Sequence, residues 1–216
     1  PMSRGLGDVY KRQYQFHMDL TAGKVSYEDP RLDAVFDHWR ELIDPGYFLE
    51  DHQSYSWQEA QAPQINGEAA MYLIGNFYVP TFEAAGIGDQ MDFFQFPTIY
   101  QGVGVAEDAP TDIMFIPKGA KNVEDAKKFL AFMSNAQAAG EWSKIAGMLS
   151  PNKNAAKPEN RFSIMGAKML AAADDIAQFW DRDANPDMAS ASMEGFQEFM
   201  VKPDREDKIR ALLEKE

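Results

Sequence analysis

Cysteine is absent from the 216 residues, which removes disulfides, thiol nucleophiles and thiolate metal sites together. Its absence suits a cytosolic chain and an exported one equally. Histidine is nearly as scarce. His17, His38 and His52 fall in the first quarter of the chain and share neither an HxxH nor an HExxH spacing, so the sequence offers no scaffold for an imidazole metal centre or a Ser-His triad. There is no GxSxG, and Gly102-Val103-Gly104 lacks both the P-loop lysine and the third glycine of a dinucleotide fingerprint. No apolar run approaches the roughly 18 residues of a bilayer span, and no stretch combines a basic start, an apolar middle and a small-residue cleavage site. Positive charge is also in short supply. The 21 Lys and Arg face 34 Asp and Glu, for a net charge of -13, which argues against nucleic acid and anionic membranes as partners and leaves a neutral or cationic small ligand open.

What is present is a globular composition, 45% hydrophobic and 12% aromatic, enough for a core in one large domain or two small ones. Residues 1–13, PMSRGLGDVYKRQ, show no periodicity and resemble the adapter translations found at the ends of assembled contigs, so they are set aside as non-native sequence. A first helix is expected from Pro30, with Asp29 as cap and Leu32, Val35, Phe36, Trp39, Leu42 and Ile43 on one face, ended by Asp44-Pro45-Gly46. Trp39 is expected in the core and His38 on the solvated side. Tyr55 to Ala62 reads as a short helix stopped before Pro63. Trp57 sits on it within the polar run SYSWQEAQ, so its ring is expected to be partly exposed.

The chain is organised around Gly67 to Pro80, GEAAMYLIGNFYVP. Its apolar run Met71 to Ile74 reads as a buried strand that delivers Phe77 and Tyr78 to a turn at Gly75-Asn76, before a short helix from Pro80 to Gly86. Further strands are expected at Met91 to Phe96 and Asp112 to Pro117, with a long connection over 98–111 that crosses between lobes. Asn122 caps a helix through Ser134 whose apolar face is Ala126, Phe129, Leu130 and Met133. The next helix, Gln137 to Ala146, turns Ala138, Trp142 and Ile145 inward and stops at Gly147. Helices follow over Arg161 to Ala173, Asp187 to Val201 and Asp204 to Glu216. Between the first two of these lies an aromatic and acidic island, Gln178 to Asp183. The pattern is an α/β chain with a helical C-terminal third.

Three blocks, GEAAMYLIGN, FIPKGAKNVEDAKKFLAFMSN and WSKIAGMLSPNKNA, resemble the extracellular solute-binding proteins of bacterial ABC importers, the mostly sugar-carrying family 1 type, in that family's order over about residues 14–216. The resemblance implies a truncated periplasmic-binding-protein type II-like fold, with 14–109 holding a second-lobe segment and 110–216 a returning first-lobe strand and helix plus C-terminal helices. It also implies a first lobe and an export signal upstream, a periplasmic or extracellular location, lipid anchoring in a longer protein, and delivery of the solute to ABC permease subunits by a monomer that is not an enzyme. In the family an aromatic, usually Trp, stacks on the ligand after the GxAAM strand. Phe77 holds that position here.

A sugar site needs rings for the apolar face of the ligand and oriented polar groups for its hydroxyls. Phe77, Tyr78, Trp57, Phe179 and Trp180 are the candidate rings, and Asn76, Asp112 and Asp181 the candidate polar groups. No cofactor or metal is called for. DRDANPD, over 181–187, has alternating oxygen ligands but lacks the glycine and final glutamate of a calcium loop, and reads as an acidic loop before an Asn-Pro helix start. The competing reading is a fragment of a glycan-degrading enzyme that uses paired carboxylates at Asp181 and Asp183. A third is a substrate-free interaction module.

Overall fold

The computed structural model describes residues 13–99 and 104–216. The expectation of non-native sequence over 1–13 falls almost wholly outside these residues, as does Gly102. In chain order the helices are α1 (Gln13–Thr21), α2 (Arg31–Ile43), α3 (Gln61–Ile65), α4 (Val79–Ala84), α5 (Val123–Met133), α6 (Ala136–Ala146), α7 (Arg161–Ala172), α8 (Trp180–Asp183), α9 (Pro186–Val201) and α10 (Glu206–Leu213). Two three-residue strands, β1 (Ala106–Asp108) and β2 (Asp175–Ala177), pair in parallel with Ala106 opposite Asp175.

The described chain divides into two compact units. The first takes in residues 13–73, 96–99, 104–109 and 173–216, and the second 74–95 and 110–172. The chain passes from one unit to the other after Leu73, Gln95, Ala109 and Ala172. The stretch Gly67 to Pro80 therefore contributes its GEAAMYL half to the first unit and IGNFYVP to the second.

The first unit is built on α2, α9 and α10. Leu32, Val35 and Phe36 line one side of α2, the i, i+3, i+4 pattern of an amphipathic helix. Asp29 fixes its start, accepting from the Arg31 backbone N–H at 2.9 Å and from the Arg31 guanidinium at 2.8 and 2.7 Å. In α9, Asn185 caps by accepting from the Met188 N–H at 2.9 Å, with Pro186 at the first turn. Its inner face is Met188, Ser192, Gly195, Phe196 and Phe199. Phe36 meets Phe199 at 4.8 Å between ring centroids, and Trp39, half-buried, packs on Phe36, Phe196 and Phe199. Gly195 brings α10 close, since a Cβ there would lie 2.9 Å from Cγ2 of Ile209. Arg210, buried on α10, ties this helix to the α1–α2 connection by donating to the Tyr27 carbonyl at 2.7 Å and the Asp29 carbonyl at 3.0 Å.

The second unit has a smaller core of Tyr78, Val79, Phe82 and Phe162. Phe82 stands edge-on to Tyr78 at 5.2 Å and to Phe162 at 5.0 Å, and Phe93 stacks on Phe162 at 6.2 Å. Asn160 caps α7 through the Phe162 N–H at 2.8 Å and donates to Glu83 at 2.5 Å. Arg161 lies 4.0 Å above the Phe162 ring and donates to the Gly88 carbonyl at 3.0 Å and to the Met91 carbonyl. Asn122 and Asn135 cap α5 and α6 with side chains that accept from Asp125 N–H and Ala138 N–H. Gly147 closes α6 in the left-handed conformation.

The expected helices at 31–43, 122–134, 137–146, 161–173, 187–201 and 204–216 form within a few residues of their sequence limits. The expected strands do not. Residues 71–74, 91–96 and 112–117 carry no strand ladder, and Met71 is 73% exposed rather than buried. A strand exists only as part of a ladder of backbone hydrogen bonds, and no ladder includes these runs among the described residues. The ladder that does form, β1 with β2, lies in the segment read as connection and in the stretch between the helix ending at Ala173 and the island at Gln178 to Asp183, for which the sequence predicts no element. It is extended by Ala109 N–H donating to the Ala177 carbonyl at 3.0 Å and by Asp174, whose carboxylate accepts from Val105 N–H at 2.8 Å. The helix expected over 55–62 begins instead at Gln61 and holds Pro63 in its first turn, where no intrahelical N–H is lost. Trp142 and Ile145 are not core residues. They are 55% and 76% exposed, and it is Ala139 and Ser143 that α6 buries.

Candidate functional site

Four of the eight candidate site residues lie in each unit. Asn76, Phe77, Tyr78 and Asp112 belong to the second, and Trp57, Phe179, Trp180 and Asp181 to the first.

In the second unit, Asn76, Phe77 and Tyr78 form a single 3-10 turn directly before α4. The turn separates its two rings by function. Tyr78 is buried against Phe82, and loss of hydration raises its phenol pKa. It is therefore a core ring of this unit and offers no face for stacking. Phe77 stays half-buried and folds back over Gly75 so closely that a Cβ at Gly75 would lie 2.8 Å from its Cδ1. Only a residue without a side chain lets this ring lie across the backbone. Asn76 turns its amide toward α7, where Nδ2 would stand 3.6 Å from a Cβ at Gly166. Asp112 is exposed.

In the first unit, Trp57 is 44% exposed, as its polar surroundings in the sequence suggest. The turn that carries it is pinned. Glu59 accepts from the Ser56 backbone N–H at 2.9 Å and from the Ser56 hydroxyl at 2.7 Å, and these bonds hold the Glu59 carboxyl below its ordinary range, the hydroxyl contributing most. From the GEAAMYL stretch, the Tyr72 hydroxyl donates to the Trp57 carbonyl at 2.9 Å. An exposed indole on a fixed turn is a preorganised platform for a flat apolar face. Tyr55, 40% exposed, lies two residues away. Sequence reasoning passed it over, although the spacing SYSW signals it.

Trp180 is the most deeply buried of the eight candidates. It opens α8 at 2% exposure, with its indole N–H donating to the Ser192 hydroxyl at 3.0 Å. His17 and Tyr27 both stand edge-on to it, at 5.6 and 6.1 Å. An indole enclosed on several sides and hydrogen-bonded inside the core has no face for a ligand. Its neighbours Phe179 and Asp181 remain available. Phe179 is half-buried with the Arg182 guanidinium 5.6 Å from its ring centre, and Asp181 is exposed on the first turn of α8. Among the described residues there is no group of three or more His, Asp or Glu side chains placed to hold a metal ion.

The family model for bacterial extracellular solute-binding proteins matches residues 8–198. The chain belongs to that family. An ABC transporter extracellular-binding protein of Pyrococcus horikoshii, itself uncharacterised, is 32% identical over 133 residues, which is 62% of this chain and 29% of that protein. Among solved structures, the bacterial solute receptor AcbH is similar with a TM-score of 0.84 at 29% identity. The match covers 98% of this chain and 56% of the AcbH chain, and AcbH is described as having an exclusive substrate preference for β-D-galactopyranose. The chain thus spans about half of that receptor and less than a third of the Pyrococcus protein. The family and both relatives are described as solute-binding or receptor proteins, and the Pyrococcus protein as belonging to an ABC transporter. No described helix is long and apolar enough to cross a membrane.

Proposed function

We propose that this chain is part of the substrate receptor of an ABC importer, that it captures a carbohydrate or a similar small polar solute outside the cytoplasmic membrane, and that it delivers the solute to a permease. The observation that carries the sugar reading is Trp57, a partly exposed indole on a turn pinned by Ser56, Glu59 and Tyr72. It comes together with overall likeness to a receptor that takes β-D-galactopyranose. A pyranose presents a patch of C–H bonds that an aromatic face covers, and hydroxyls that require oriented acceptors and donors.

The remaining roles follow from exposure. Phe179 is a further candidate ring of the first unit, in addition to Trp57, and Phe77 is the candidate ring of the second unit. Asn76, Asp112 and Asp181 supply polar groups within hydrogen-bond reach of solvent. Tyr78 and Trp180 act indirectly, by fixing the turn that carries Phe77 and the start of α8. An exported receptor of this kind works in the periplasm or at the cell surface, as a monomer, with a lipid anchor in a longer protein as one means of retention.

Titration of the chain with β-D-galactopyranose and a panel of neutral monosaccharides, read by tryptophan fluorescence and calorimetry, tests the proposal. Saturable binding of at least one sugar is expected, weakened about tenfold in Trp57→Ala, the equivalent of about 1.4 kcal/mol. A chain that binds amino acids or peptides and no carbohydrate would remove the sugar reading while leaving the family unaffected.

A further inference from the structure

Asparagine is followed by glycine once in this chain, at Asn66-Gly67, and the fold sets that pair at the exposed end of α3. Asn66 keeps helical angles, φ -80° and ψ -5°, and Gly67 follows at φ +78°. Two bonds close the cap. Gly67 N–H donates to the Gln64 carbonyl at 3.1 Å, and Glu68 N–H to the Pro63 carbonyl at 2.8 Å. A left-handed residue just past a helix favours glycine, because any other side chain crowds its own backbone there. The cap thus puts behind an asparagine the one residue whose peptide nitrogen has no side chain beside it, and nothing lies within 4 Å of where a Cβ of Gly67 would stand.

That nitrogen is a nucleophile within reach of the asparagine's own amide once the last turn opens. Base takes the Gly67 N–H proton, the nitrogen bonds to Cγ of Asn66, and the Cγ–Nδ2 bond breaks. The departing nitrogen keeps the electron pair, takes a proton from water and leaves as ammonia. Water then opens the five-membered imide at either carbonyl, adding hydroxyl to the carbon and hydrogen to the nitrogen. The product is aspartate, or iso-aspartate when the main chain is left running through Cβ and Cγ. One water enters and one ammonia leaves, with no oxidant or cofactor.

The other asparagines are poorer sites. Asn185 precedes Pro186, which has no N–H to become a nucleophile. Asn122, Asn135 and Asn160 hold their side chains in cap bonds at helix starts. Asn152 accepts from the Asn154 N–H at 2.9 Å and donates to the Ser134 carbonyl at 2.8 Å. Asn76 and Asn154 are followed by Phe77 and Ala155, whose side chains crowd the nitrogen. At Asn66 the side chain makes one long bond, from Nδ2 to Glu68 at 3.4 Å.

We propose that Asn66 is a site of spontaneous deamidation in the folded chain, gated by opening of the α3 cap, and that the product loosens the segment that follows. The new carboxylate faces Glu68 in place of a donor and puts negative charge at a helix C-terminus, where the dipole disfavours it. Iso-aspartate also lengthens the main chain by one atom inside the paired cap bonds. Further along the same segment, the Tyr72 hydroxyl donates to the Trp57 carbonyl, so slack at the cap reaches the turn that carries Trp57. The modification does not depend on which solute is bound.

Incubation at mildly alkaline pH, followed by peptide mapping with mass spectrometry and labelling by an iso-aspartate methyltransferase, tests the proposal. Conversion at Asn66 should be at least about tenfold faster than at any other asparagine, should speed up with pH, and should yield iso-aspartate among its products. Asn66→Gln, whose longer side chain would have to close a six-membered ring, should stay unmodified and keep the amide exchange of untreated chain. Exchange over 56–73 should quicken in Asn66→Asp, which adds the charge alone, and further in the iso-aspartate product, while α9 and α10 keep their rates. Conversion at Asn66 in denaturant but not in the folded chain would mean that the cap blocks the reaction, and would overturn the proposal. So would aspartate with no iso-aspartate, which marks direct hydrolysis, or another asparagine converting first. Unchanged exchange over 56–73 in the iso-aspartate product would overturn the proposed effect on the turn.

Discussion

The indole N–H of Trp180 donates to the hydroxyl of Ser192 at 3.0 Å, and that hydroxyl in turn donates to the Ala189 carbonyl at 3.0 Å. The pair joins the first turn of α8 to the middle of α9 with both side chains almost wholly removed from water. Ser192→Ala leaves a buried donor unsatisfied, at a cost of about 1–3 kcal/mol. Denaturant unfolding should show the midpoint shift with an unchanged slope. Ser192→Thr, which keeps the hydroxyl, should recover part of the loss where its methyl fits. A neutral Ser192→Ala would mean that the indole finds another acceptor.

A second partner of Trp180 makes stability depend on pH. His17 is 6% exposed and packs edge-on to the indole with Nε2 unpaired. Burial pushes its pKa below the ordinary 6.5, opposed more weakly by the Asp108 and Asp183 carboxylates. Tyr27, whose own hydroxyl is buried and unpaired, packs on the same indole, its phenol held protonated by burial and by the Glu214 carboxylate. Because the folded pKa of His17 is depressed, the unfolded chain binds more protons as pH falls through 6.5, so stability rises with pH in that window and is lost below it. Thermal midpoints from pH 7.5 to 5.0 should fall more steeply for the wild type than for His17→Leu. Parallel curves would assign the slope to other groups.

The helices were legible because their code is local. Asn122 and Asn185 sit at caps, Gly147 sits at an end, and the spacing of Leu32, Val35 and Phe36 marks a buried face, all within a few residues of one another. The strands were not, because a ladder depends on a neighbour far away in the chain. Met71 to Ile74 and Asp112 to Pro117 have strand composition but join no ladder among the described residues, while Asp175–Ala177 pairs with Ala106–Asp108. Periodicity also shows which side of a helix is apolar but not whether anything covers it. For that reason Trp142 and Phe129 read as core and are exposed. The same limit applies to the site. The polar run around Trp57 announced exposure, but nothing near Trp180 or Tyr78 in sequence announced that Ser192 and Phe82 would enclose them.

Arg210 gathers more polar contacts than any neighbour on α10. Besides the two carbonyls of the α1–α2 connection, its guanidinium pairs with Asp33 and with Glu206, the latter at 3.1 Å. With the arginine side chain 8% exposed, Arg210→Met would fill similar volume but leave two carbonyls without their donor, while Glu206 keeps its pairing with Arg40 at 2.5 Å. A loss of about 1–3 kcal/mol is expected from the two carbonyls left unsatisfied, a large share of a marginal unit's stability. Hydrogen exchange should quicken in α2, α9 and α10 together. A variant that loses less than about 1 kcal/mol would show that water replaces the guanidinium at this site.

Gly75 sets the pose of the Phe77 ring. It adopts φ -85° and ψ 169°, angles open to any residue, so its need for glycine comes from the Phe77 ring lying across it and not from backbone strain. Gly75→Ala places a methyl inside that ring, and the cheapest relief is rotation of Phe77 away from the turn. The core rings Tyr78 and Phe82 are not displaced, so the thermal midpoint should fall only modestly, by about 1–3 kcal/mol equivalent. Solute affinity should fall, by no more than in Phe77→Ala, if Phe77 stacks on the ligand. Combining the two substitutions separates the effects, since Gly75→Ala should cost little further affinity once the ring is gone. Full additivity of the two losses would place Phe77 outside the binding surface.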